Sequence, residues 1–71
     1  MTVRIDAIVG PRIRAARLAA GLSQPQLARL AEVADAMLCA WETGRTIPTI
    51  NSLQRVADAL GLPLSDFVGP V

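Results

Sequence analysis

The stretch Ser23-Gln24-Pro25-Gln26-Leu27-Ala28-Arg29-Leu30-Ala31-Glu32-Val33-Ala34-Asp35-Ala36-Met37-Leu38-Cys39-Ala40-Trp41-Glu42-Thr43 contains two short helical segments joined by a tight turn. Ser23 followed by Gln26 has capping-box spacing, in which the serine hydroxyl accepts from the N–H of Gln26 and the glutamine side chain reaches back to the Ser23 N–H. Pro25 falls in the first turn, where a missing N–H costs nothing. Leu27, Ala28 and Ala31 then share one face of the helix. This helix is expected to end near Ala31, with the turn running through Glu32 and Val33. A second helix is expected over about residues 35–43, with Leu38 and Trp41 pointing inward and Gly44 ending it.

Outward from this pair, Gly and Pro cut the chain into further short helices. Pro11 suits the first turn of a helix over about residues 11–20, and Gly21 is its stop, at positive φ. After Pro48, Thr49 has the side chain of an N-cap. Ile50, Leu53, Val56, Ala57 and Leu60 follow with helical periodicity up to Gly61, and residues 62–67 are long enough for one more turn. Residues 1–9, with Val3, Ile5 and Ile8, read as a short extended arm or a lead-in to the first helix. The organisation expected is an all-α, five-helix domain over residues 10–68, with an arm at 1–9 and a tail at 69–71.

The composition narrows the chemistry. Seventy-one residues make one domain, near the lower limit for a self-sufficient core. There is no His and no Tyr, and Cys39 is the single cysteine. That removes most residue types used for metal ligation, nucleophilic catalysis and proton transfer near neutrality, so no catalytic site, metal or cofactor is expected. Asp58 and Asp66 read as solvated carboxylates, Cys39 as structural and Trp41 as core. One thiol allows no disulfide within the chain, no apolar run resembles a signal peptide, and no segment approaches membrane-spanning length. A cytoplasmic protein without membrane association is expected. The net charge is only +1, carried by seven arginines and no lysine, which argues against strong indiscriminate binding to nucleic acid. Hydrophobic residues make up 52% of the chain, more than one small core hides. The surplus is expected to meet a second copy of the chain, using Ile5, Leu64, Phe67 and Val68.

Two short helices joined by a three- or four-residue turn have helix-turn-helix geometry, which lays the second helix in the major groove of DNA. Ala28 is small where the helices cross, Val33 and Leu38 fill the angle between them, and Trp41 pins the second helix. With these residues in place, the chain resembles the Cro and phage-repressor type of helix-turn-helix protein, the XRE family. The match runs through Arg12-Ile13-Arg14, Gly21-Leu22-Ser23-Gln24, Leu27-Ala28, Val33, Leu38 and Trp41-Glu42-Thr43-Gly44. It continues through Pro48, Leu53, Val56-Ala57, Leu60-Gly61 and Leu64 to Phe67. The resemblance implies a lambda-repressor-like five-helix bundle that binds duplex DNA at a palindromic operator as a homodimer and controls transcription.

The resemblance also implies roles for particular residues. Gln24 matches a phosphate-contacting position, and Thr43, Arg45 and Thr46 match a second; a helix N-terminus and a Gly-containing loop offer free N–H groups for such contacts. Arg17 and Glu42 match an ion pair tying the first helix to the end of the recognition helix, the alternative being two unrelated surface charges. The base-facing positions fall on Asp35, Ala36, Met37 and Ala40. Here the chain departs from the family, which usually places Gln, Arg, Ser, Thr or Lys at such positions. Alanine can touch a thymine methyl and aspartate can accept from a cytosine amino group, but neither makes bidentate contacts to purines. Glu32 stands where the family has glycine in the turn, and Ala34 where it has a Ser or Thr cap. The apolar face leaves an alternative open, a protein-interaction module such as an antitoxin or adaptor built on the same scaffold.

Overall fold

The computed structural model describes residues 5–68, with side chains from Ile8 onward. The expectations for residues 1–4, for the tail 69–71 and for the side chain of Ile5 lie outside the described residues. Within them the chain is all helix, with no strand: α1 Ile5–Ala19, α2 Gln24–Ala31, α3 Asp35–Glu42, α4 Ile50–Leu60 and α5 Ser65–Val68.

Local chemistry sets where the helices start. At the head of α2 the Ser23 hydroxyl accepts from the Gln26 N–H at 3.2 Å, while Gln26 Oε1 accepts from the Ser23 N–H at 2.8 Å. At the head of α4 the Thr49 hydroxyl accepts from the Ser52 N–H at 3.1 Å. α3 starts at Ala34 with no side-chain cap.

The ends share one device. The N–H groups of Leu22, Val33, Arg45 and Leu62 each donate to the carbonyl five residues back, on Arg17, Ala28, Ala40 and Ala57 respectively, at 2.9–3.1 Å. Each closure requires a left-handed residue just before the donor. Gly21, Gly44 and Gly61 fill three of these positions with φ of 74°, 80° and 69°, and Glu32 fills the fourth with φ 59°. Glu32 therefore carries steric strain that the glycines avoid.

α1 differs from expectation. It starts at Ile5 rather than near Pro11, which lies inside the helix. The reason is upstream periodicity: Val9, Ile13 and Arg17 follow one another at intervals of four and are all buried. Burial of Val9 opposes the roughly 3 kcal/mol that an interior proline costs through its lost hydrogen bond and its clash with the preceding turn. Pro11 itself faces solvent.

The core joins Val9 and Ile13 of α1, Leu27, Ala28 and Ala31 of α2, Leu38 and Trp41 of α3, Leu53, Val56 and Ala57 of α4, and Phe67 of α5. α2 packs on α3 and α4, and α1 packs on α3 and α5. Gly10 makes the α1–α3 contact possible, because a Cβ there would run into the backbone carbonyl oxygen of Trp41. Ile50 departs from the expected inward stripe of α4. It sits in the first turn and is 64% exposed. No helix among the described residues is long and apolar enough to cross a membrane.

Three substitutions test this account. Glu32→Gly relieves the left-handed strain, and Ala34→Ser supplies the missing cap, each expected to add about 1 kcal/mol. For a domain of this size that raises Tm by about 4–8 °C. Gly10→Ala should act in the opposite sense and lower the urea midpoint sharply, even though alanine is the better helix former by about 1 kcal/mol. A neutral Gly10→Ala would mean that α1 and α3 are not in close contact.

Candidate nucleic-acid interface

α3 divides into two faces. Leu38, Trp41 and Glu42 point into the bundle and are buried. Asp35, Ala36, Met37 and Cys39 are exposed and Ala40 is half-buried, so the four residues expected to face bases lie on the side away from the core. Cys39 lies on that outer side and is exposed, so it fills no gap in the core as a structural cysteine would.

The inner face is anchored by charge as well as by packing. Arg17 Nε donates to Glu42 Oε2 at 2.7 Å and its Nη2 donates to Oε1 at 3.0 Å, a two-pronged pair. Arg17 Nη1 donates to the Leu22 carbonyl at 2.9 Å. Gln24 Nε2 donates to Glu42 Oε1 at 3.1 Å. One carboxylate at the end of α3 thus holds α1 and the start of α2, and each residue of the ion pair is only 8% exposed. The hydrogen bond to Glu42 holds the Arg17 guanidinium above its ordinary pKa; burial opposes this and the Coulomb attraction of Glu42 adds to it.

The positions that the resemblance assigns to phosphate contact are Gln24 and the loop after α3. At the head of α2, Pro25 has no N–H and the Gln26 N–H is held by Ser23, which leaves the Gln24 N–H as the open donor of that turn. Gln24 is half-buried, and its amide keeps a second proton beyond the one given to Glu42. Beyond α3, the side chains of Thr43, Arg45 and Thr46 are exposed. The loop does not offer the free N–H groups expected of it. Those of Gly44, Arg45 and Thr46 bond back to the carbonyls of Trp41 and Ala40. The Thr43 hydroxyl likewise donates to the Cys39 carbonyl at 2.9 Å. An anion at this loop meets side chains, above all Arg45.

A cap-closed pair of short helices, with the second exposed on one face and tied to α1 by a buried ion pair on the other, defines a repressor-type helix-turn-helix domain. The chain belongs to the helix-turn-helix family HTH_3, whose model matches residues 13–67. Its relatives include the immunity repressor protein of Bacillus phage phi105, 41% identical over 61 residues, which are 86% of this chain and 42% of the relative. The chain therefore spans less than half the length of that relative. Among solved structures, the restriction-modification controller protein C.AhdI from Aeromonas hydrophila superposes with a TM-score of 0.81 at 29% identity, over 83% of this chain and 89% of the other. An HTH_3 family transcriptional regulator from Vibrio cholerae gives 0.85 at 32% identity, over 89% of this chain and 35% of that one. A hypothetical transcription factor, NHTF, from Neisseria gives 0.88 at 25% identity, over 94% and 77% of the two chains.

The residues expected at a dimer contact fare differently. Phe67 is 1% exposed and belongs to the core, where α5 packs on α1, so it is not available to a partner. Leu64 and Val68 are half-buried and pack against the same core. Among the described residues the exposed large apolar side chains are instead Leu18, Leu30, Met37, Ile47 and Ile50, none of them in α5. Neither Gly10 at the α1–α3 contact nor the bond from Gln24 to Glu42 is legible in the sequence. A glycine followed by proline reads as a break, and a hydrogen bond between residues 18 apart leaves no local pattern.

Removing one partner of the Arg17–Glu42 pair strands the other charge in the interior, at about 3–5 kcal/mol. A domain of this length has roughly 4–10 kcal/mol in all. Glu42→Ala should therefore leave much of the chain unfolded at room temperature by circular dichroism. Replacing both partners, as Arg17→Met with Glu42→Leu, should recover most of the loss. A double replacement that costs the sum of the two single replacements would mean that the pair contributes no coupling.

Proposed function

We propose that this chain is a DNA-binding transcriptional regulator that seats α3 in the major groove of duplex DNA. The observation that carries this reading is the two-faced recognition helix, anchored by Glu42 on one side and open on the other, between Gln24 and Arg45. Gln24 and the side chains of Arg45 and Thr46 contact phosphates on either side of the groove, with Thr43 beside them, its hydroxyl proton held by the end of α3. Asp35, Ala36, Met37 and Ala40 face the base edges. The repressor, controller and regulator names of its relatives support the assignment.

The regulator acts as a homodimer. A two-fold dimer matches a palindromic operator, and one eight-residue recognition helix reaches too few base pairs for selectivity alone. With Phe67 committed to the core, Leu64 and Val68 at α5 remain as the described part of the contact, with Ile5 beside them in the proposal.

A second reading stays in view because Met37 is 46% exposed and its neighbours on α3 include alanines. Such a face also suits docking onto a protein, as an antitoxin or adaptor does. Anisotropy of a labelled duplex separates the two. If α3 enters the groove, Ala40→Glu abolishes binding while circular dichroism is unchanged, and Asp35→Asn preserves or improves it. Arg45→Ala should weaken binding to all duplexes alike and lower the salt slope by about one. A folded parent no better than a neutral protein at low salt would give the field to the docking reading.

Association is tested separately. Sedimentation at micromolar concentration should show a dimer, and Val68→Asp should shift it toward monomer. A monomeric parent at those concentrations would remove the homodimer from the proposal.

A further inference from the structure

The outer stripe of α3 offers no committed-free hydrogen-bond donor to a base. With Leu38, Trp41 and Glu42 facing inward, helical geometry puts Ala36, Ala40 and Thr43 at the centre of the opposite side and Met37 and Cys39 on its flanks. Alanine and methionine have no donor, and a thiol is a weak one. Thr43 has a single hydroxyl proton, and it is already given to the carbonyls at the end of α3, that of Cys39 at 2.9 Å or that of Ala40 at 3.3 Å. Asp35, in the first turn, presents a carboxylate that only accepts while ionised. Bidentate purine recognition in the major groove needs donors, because guanine presents only the acceptors N7 and O6 and adenine sets its N6 donor beside the acceptor N7. The stripe supplies methyl and methylene groups instead. The one apolar group on the floor of that groove is the 5-methyl of thymine.

Resting on the DNA-binding reading above, we infer that α3 selects its duplex through the 5-methyl groups of pyrimidines. Ala36 and Ala40 stand one turn apart, about 6 Å along the helix axis. That is close to two base-pair steps of about 3.4 Å each. A helix lying along the groove therefore contacts two methyls about two steps apart in each half-site, with Met37 packing beside them. Phosphate anchors set the register, and the methyls choose the sequence.

The test removes methyls and nothing else. A duplex is selected with the intact chain from a randomised pool containing ordinary thymine. It is then resynthesised with single dT→dU replacements and measured by anisotropy at fixed salt. At two positions per half-site, roughly two steps apart, each replacement should weaken binding about fourfold, the effect of one buried methyl-sized group. Against Ala40→Gly, one of those replacements should lose its effect while the other keeps it. Restoring the methyl as 5-methylcytosine should bind better than cytosine at the same position. Indifference of the parent to every dT→dU replacement overturns the inference while leaving DNA binding intact. Sensitivity to 7-deazapurines in place of dU overturns it as well, since that would reveal donors at purine edges. If no duplex binds at low salt, the inference and the reading beneath it fail together.

Discussion

The carboxylate of Glu42 is the point at which three helices meet. It receives two hydrogen bonds from Arg17 of α1 and one from Gln24 at the start of α2, and it stands on the last residue of α3. α3 is eight residues long and has no side-chain cap, so it has little stability of its own. Leu38 and Trp41 bury its inner face and set the rotation about its axis to first order. The directional hydrogen bonds at Glu42 narrow that rotation further. A buried ion pair is a weak source of net stability, since desolvation offsets much of the attraction. Its contribution here is angular: it helps fix which residues of α3 look outward.

The same tie holds one flank of the proposed interface. Gln24 has one amide proton on Glu42 and another free for an anion. Whatever phosphate it meets is approached by a side chain already held in place, with less rotamer entropy left to lose. Arg45 has no such restraint among the described residues. It is a flexible charge on an exposed loop, suited to attracting a phosphate from several directions.

Much of this was legible in the sequence where the physics is local. Capping at Ser23 and Thr49 and termination at Gly21, Gly44 and Gly61 depend on neighbours within five residues, and the residue types announce them. The inward faces of α2 and α3 followed from periodicity. Failures came where distant packing overrode a local preference. Pro11 has the look of a helix start, yet Val9 draws the helix upstream; Phe67 near the end of the chain looks available, yet α1 covers it. The Gly44 loop looks rich in open N–H groups, yet the helix end consumes them. Glu32 shows the opposite case: the resemblance puts glycine at its position, and the positive φ found there is the physical reason for that preference.

The repeated closure of the helix ends bears on how quickly the chain finds its fold. Four stops are formed by bonds that span only five residues, so each forms as soon as its own segment is helical. Little chain entropy is lost in closing loops that short. The long-range step is then the docking of preformed helices whose lengths are already set. Small helical domains dominated by such local contacts fold in microseconds to milliseconds. A repressor-type domain built this way folds faster than it is synthesised, with synthesis rather than folding as the slow step.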